Sequence, residues 1–142
     1  MAKLKYLVCV VALSACGYIP SGALEGTPAS IPADWSAVAA ADVIRFETQP
    51  ADPYSVELWV IGVDDVLYVH AGDNRTNWVA HIEADANVRL LHDGSIYELR
   101  AERVTDQGEF EVFAVVYDEK YGWRPRNENI DEIYLYRLLP RA

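Results

Sequence analysis

The chain has 142 residues, of which 22 are acidic and 12 are lysine or arginine, giving a formal net charge of −10 and an isoelectric point near 4.6. That length allows one domain with a modest core. So acidic a chain repels nucleic acid and anionic headgroups; only Arg124 and Arg126 lie close together, and Glu128, Asp131 and Glu132 follow at once, so nucleic acid is not an expected partner.

The chain opens with "MAKLKYLVCVVALSAC". Lys3 and Lys5 make a basic flank and Tyr6 to Leu13 a short apolar run, which together predict a secretory signal over residues 1–15, too short to span a bilayer. The run ends in "LSAC", residues 13–16, which resembles the bacterial lipobox: an aliphatic residue, two small residues, then cysteine. The resemblance implies cleavage before Cys16, a diacylglycerol on its sulfur and an acyl chain such as palmitate on its amine. Two or more chains hold a protein durably at a membrane. The expected location is the bacterial cell envelope, and Gly17, where an aspartate would signal retention, favours the periplasmic face of the outer membrane. Loss of Lys3 and Lys5 takes the charge from −10 to −12. Cys9 leaves with the signal and Cys16 is acylated, so no thiol remains for a disulfide, a metal or a nucleophile.

Residues 17–33, "GYIPSGALEGTPASIPA", show neither helical nor strand periodicity and are rich in proline and glycine. They predict a flexible tether, 16–33 with the lipidated cysteine, ahead of a domain over 34–142. Within it, "ADWSAVAAADV" (33–43) reads as a short helix with Asp34 as N-cap. "VIRFET" (43–48) reads as a strand, and "VELWVIGV" (56–63) with "VLYVHA" (66–71) as a hairpin about Asp64-Asp65. "TNWVAHIEAD" (76–85) reads as a short helix. "NVRLLH" (87–92) and "IYELRAERV" (96–104) form a second hairpin about Asp93-Gly94, a strong turn signal. Asp106 and Glu109 stand at capping-box spacing, and Phe110, Phe113, Ala114, Tyr117 and Tyr121 follow at helical period until Gly122. After a loop, "IYLYRLL" (133–139) is the last strand. The expected fold is mainly β in the α+β sense: a six-stranded antiparallel split β-barrel with one or two packing helices.

Three strings sharpen that expectation: Leu67-Tyr68-Val69 with Trp78, Lys120-Tyr121-Gly122, and Arg137-Leu138-Leu139-Pro140-Arg141. With the strand order they resemble the FMN-binding split-barrel superfamily, the pyridoxamine-phosphate-oxidase-like fold, nearest to an uncharacterised bacterial group within it, over residues 43–141. The resemblance implies a site at the barrel's side for FMN or a deazaflavin, often at a homodimer interface. On that footing Arg75 and Asn77 would supply donors and Trp78 a flat surface. The chain departs from the group where arginines are expected, at His70 and after Trp78, where Val79, Ala80 and His81 stand. The first hairpin also lacks a basic glycine-rich turn, since Gln49 to Ser55 holds two prolines and an aspartate.

Each candidate has a plainer reading beside it. Trp78 would equally plug the barrel while Arg75 pairs with an acid such as Asp73. Strand alternation puts Arg137 on the face of Leu135, so it needs an acidic partner or a bound anion. His70, His81 and His92 lack metal-ligand spacing, so no metal is expected. Glu98, Arg100 and Glu102 read as the wet face of a strand. No serine has a nucleophile context, and no catalytic residue is assigned. The function expected from the sequence is an envelope lipoprotein, anchored to the membrane through its lipid, whose split barrel binds a small molecule or a protein. The alternative is an FMN- or deazaflavin-dependent oxidoreductase.

Overall fold

A computed structural model describes residues 21–142; the signal segment and Cys16 lie outside the described residues. One sheet dominates, built from β2 (Val43–Thr48), β3 (Tyr54–Trp59), β4 (Ile61–Val63), β5 (Val66–His70), β6 (Asn87–His92), β7 (Ser95–Arg103) and β8 (Leu135–Pro140). Its order is β3-β2-β6-β7-β8-β5-β4, every neighbouring pair antiparallel. A two-residue strand, β1 (Thr27–Pro28), adds in parallel to Ser95 and Ile96 at the start of β7, beyond the point where β8 runs out at Pro140. Helices α1 (Ser36–Ala39), α2 (Asn77–Ala84) and α3 (Gln107–Tyr121) pack around it. None of the described helices is long and apolar enough to cross a membrane.

Period-2 alternation sorts the strand residues between two cores. Leu67 and Val69 of β5, with Phe46, Leu90, Leu99 and Leu138, fill the barrel together with Trp35 and Trp78. Tyr68, Ile61 and Leu135 face outward and meet Phe110, Phe113 and Ala114 of α3 in a second cluster. Asp106 caps α3 by accepting from the Glu109 amide at 2.7 Å, and Gly122 ends it at φ 87°. Asp93 and Gly94 both adopt positive φ, 48° and 76°, as a tight primed hairpin turn requires.

Three expectations are corrected. The sheet has seven main strands where six were expected, because 56–63 is two strands broken at Val60. The Val60 carbonyl is taken by α3, accepting from Lys120 Nζ at 2.7 Å and from the Tyr121 hydroxyl at 3.3 Å. β3 therefore pairs with β2, and only β4 forms the hairpin with β5. Second, α1 is capped at Trp35; Asp34 instead accepts from the Ser36 amide one position out of register. Third, from Ser21 onward the segment read as a tether lies on the barrel. Ser21 bridges Ser55, and Leu24 is buried and donates its amide to Glu47 at 2.8 Å. The buried Glu47 also holds Arg89 through two bonds of 2.8 Å, so a proline-rich composition conceals a docked strap.

Candidate functional site

The two edges of the sheet, β3 and β4, follow one another directly through Val60, so the sheet curls back on itself there. Among the described strands no ladder joins β3 to β5, and the barrel is split along that seam. Lys120 holds the seam's closed end. Its ammonium donates to the carbonyls of Ala39 (2.9 Å), Ala41 (2.5 Å) and Val60 (2.7 Å), and burial pulls its pKa below the ordinary lysine value. Tyr121 beside it donates to the backbone carbonyl of Asp42 at 2.8 Å, and burial pushes its hydroxyl up to about 12. The "KYG" string is thus a structural clamp on the break between β3 and β4.

A cavity of about 220 Å³ lies in the seam, lined by Glu57, Leu58 and Trp59 of β3, His70 of β5, and Phe113 and Tyr117 of α3. It shares Trp59, His70 and Tyr117 with a broader cleft of about 580 Å³ that reaches Trp78, Trp123, Arg126 and Asp73. The walls are aromatic. Trp59 stacks on Tyr121 with centroids 4.2 Å apart and planes 17° apart, and lies 6.0 Å from Tyr117 and 5.7 Å from Trp123. Trp59 is 38% exposed and Trp123 54% exposed, so both offer ring surface to solvent.

His70 shares the outward face of β5 with Tyr68, which sets it under α3, 5.4 Å from the Phe113 ring and 6.1 Å from Tyr117. Burial lowers its pKa to about 4, with a small opposing pull from Asp73, so the ring is neutral near pH 7. Its Nε2 is buried without a hydrogen-bond partner.

Of the residues singled out in the sequence, His70 and Trp78 meet in this cleft and the others do not. Trp78 is 4% exposed and packs edge-on against Phe46 and Tyr136, so most of its ring belongs to the core. Arg75 turns to Glu83, with bonds of 3.0 and 2.6 Å, where Asp73 was the expected partner. Asn77 is the exposed first residue of α2. Arg137 is not among the residues lining the cleft and is gripped by Glu109 (2.7 and 2.6 Å) and Glu102 (2.9 and 2.6 Å); the bonds to these two acids raise its pKa. Glu109 also accepts from the Tyr68 hydroxyl at 2.9 Å, and burial together with that bond pushes Tyr68 up to about 12. Trp59, Tyr117 and Trp123 were missed as site residues. Their one sequence signal is the aromatic surplus on a strand end, a helix end and the loop after it.

The charges are distributed unevenly. Arg75, Arg89, Arg100, Arg124, Arg137 and Arg141 pair with carboxylates, Arg45 bonds serines, and Arg103 and Lys120 bond backbone carbonyls. Among the described residues Arg126 is the one basic side chain with no such partner, and it stands at the cleft. Glu57 and Asp73 line the same cleft. The walls fit a flat ring. The charges do not fit a phosphate dianion, which needs converging cations or amides.

No protein-family model and no curated protein matches the sequence. Solved structures do match in shape. One is a candidate 5-nitroimidazole antibiotic resistance protein of Bacteroides thetaiotaomicron, 12% identical, covering 86% of this chain and 83% of its own, with TM-score 0.58. An F420 reductase is 16% identical over 80% of this chain and 97% of its own, TM-score 0.53. A FAD-binding protein of Mesorhizobium loti is 18% identical over 74% and 85%, TM-score 0.51. The fold is a split barrel. As expected from the sequence, it is mainly antiparallel sheet with packing helices, the shape these proteins share.

Proposed function

We propose that this chain is a binding module for a planar small molecule, seated in the seam cleft against Trp59, Tyr117 and Trp123 above His70. The observation that carries the reading is the convergence of these rings from three separate segments on one cleft, with two tryptophans left open to water. Exposed aromatic faces gathered at a concave site are the usual material of ligand recognition. Titration of the purified protein with riboflavin, followed by tryptophan fluorescence, tests it. Saturable quenching is expected, with affinity at least about tenfold weaker in Trp59→Ala, the size of losing one aromatic stacking contact. Absence of saturable quenching by riboflavin and by a deazaflavin ring overturns the reading.

The basic flank, apolar run and "LSAC" box support anchoring of this module in a bacterial envelope through a lipid on Cys16. Metabolic labelling with palmitate tests that, since label is expected on the intact chain and lost in Cys16→Ser. A second reading, a flavin- or deazaflavin-dependent oxidoreductase, is favoured by the likeness to the F420 reductase and the FAD-binding protein. In that case a bound ring would supply the redox chemistry, while Trp59, Tyr117 and Trp123 would hold it and His70 would stay neutral beside it.

A further inference from the structure

The cleft's walls suit a ring, and its charges set a limit on what the ring can carry. Arg126 is the single uncommitted cation there, against the carboxylates of Glu57 and Asp73. His70 adds no positive charge near neutral pH. The two arginines that the sequence offered as ligand contacts, Arg75 and Arg137, are each held by acids of the protein itself. Freeing either would leave its acid without a counterion and make the surroundings more negative. The whole chain at −10 adds a long-range field of the same sign.

We infer that the cleft selects planar heteroaromatic ligands without a phosphate, either uncharged or bearing one negative charge that Arg126 meets, and discriminates against their phosphorylated forms. This rests on the ring-binding reading above and adds the chemical class of the ligand. Selectivity here comes from repulsion as much as attraction: the carboxylates of Glu57 and Asp73 line the cleft and repel a dianion within it.

Riboflavin and FMN share one ring system and differ in the phosphate, so they separate the two claims. Both are titrated into the full chain at pH 7.5, at low salt and at about 0.5 M salt, where charges more than about 4–5 Å apart are largely screened. The expected result is FMN binding at least about tenfold more weakly than riboflavin at low salt, with the gap closing at high salt. In the double variant Glu57→Gln/Asp73→Asn the ratio of riboflavin affinity to FMN affinity is expected to fall at low salt. Equal or tighter FMN binding overturns this inference and leaves ring binding standing. Failure of both compounds to bind overturns this inference, and failure of a deazaflavin ring as well overturns the ring-binding reading with it.

Discussion

His70 shows how one side chain can be both poorly satisfied and informative. A histidine held near pKa 4, against 6.5 in the unfolded chain, is bound as the neutral form, so folding disfavours its proton. Its contribution to stability is complete above pH 6.5 and is lost as pH falls from there toward 4. Between pH 7.5 and pH 5 the loss is expected to be about 2 kcal/mol, from one and a half pH units at about 1.4 kcal/mol each. Urea unfolding at those two pH values checks it, because His70→Phe should flatten the difference. Phe113 and Tyr117 surround the ring and carry no charge near pH 7, and Asp73 is the acid that acts on it. Lys120 is the opposite kind of residue, fully used. Lys120→Met removes the donor to the Ala39 and Ala41 carbonyls and leaves Val60 with the longer Tyr121 bond alone, at an expected cost of about 2–4 kcal/mol. A red shift in Trp59 emission should accompany that loss, since Tyr121 and the β3–β4 break move together. An unchanged midpoint in denaturant would show that the clamp is dispensable.

At the scale of elements, α1 and β4 are fitted closely enough for one methyl group to matter. A Cβ on Gly62 would stand 2.5 Å from the Ala39 Cβ. Gly62→Ala is therefore expected to destabilise by about 1–3 kcal/mol, and Ala39→Gly in the same chain to recover part of it, a coupling that a double-mutant cycle reads directly. What the sequence made legible follows the range of the forces involved. The strands 43–48 and 87–92 were readable to the residue because alternation and turn chemistry act locally. The aromatic stripe of α3 and its Asp106 cap were readable for the same reason, although Glu109 turns to Arg137 and Tyr68 where a reciprocal capping bond was expected. The break at Val60 was not readable, because it is imposed by a lysine sixty residues later. The strand β1 was hidden too: its pairing depends on where β8 ends. Arg137's need for an acidic partner could be deduced from one strand. The cleft could not, since its walls come from β3, β5, α3 and the following loop.

For the whole molecule, the division between two cores explains how residues 21–142, which include no cysteine, hold together around an open seam. The barrel interior is closed off by Trp78, and α3 covers the outer face through Phe110 and Phe113. The opening is thereby confined to one place. The strap over residues 21–33 contributes at this scale through Glu47, which is 2% exposed and binds both Arg89 and the Leu24 amide. Its carboxyl pKa is lowered even though burial, the largest influence, pushes upward; the bonds from Arg89 and Leu24 together outweigh it. Stability from Glu47 is therefore present above about pH 4.5 and lost as pH falls through its lowered value. Glu47→Ala leaves Arg89 without its counterion and loosens the strap. The expected cost is about 2–4 kcal/mol, discounted because Arg89 is partly exposed, with faster hydrogen exchange at the Leu24 amide as the local sign.

The strap also sets a length. Because Ser21 is already fastened to Ser55, only five residue steps separate it from Cys16, a span of at most about 18 Å at full extension. With a lipid on Cys16 the barrel would ride against the bilayer on a short leash, attached at β3, the strand that forms one wall of the cleft. Such a body samples two dimensions: it would meet solutes concentrated at the membrane surface and could not reach across to the opposite side of the compartment.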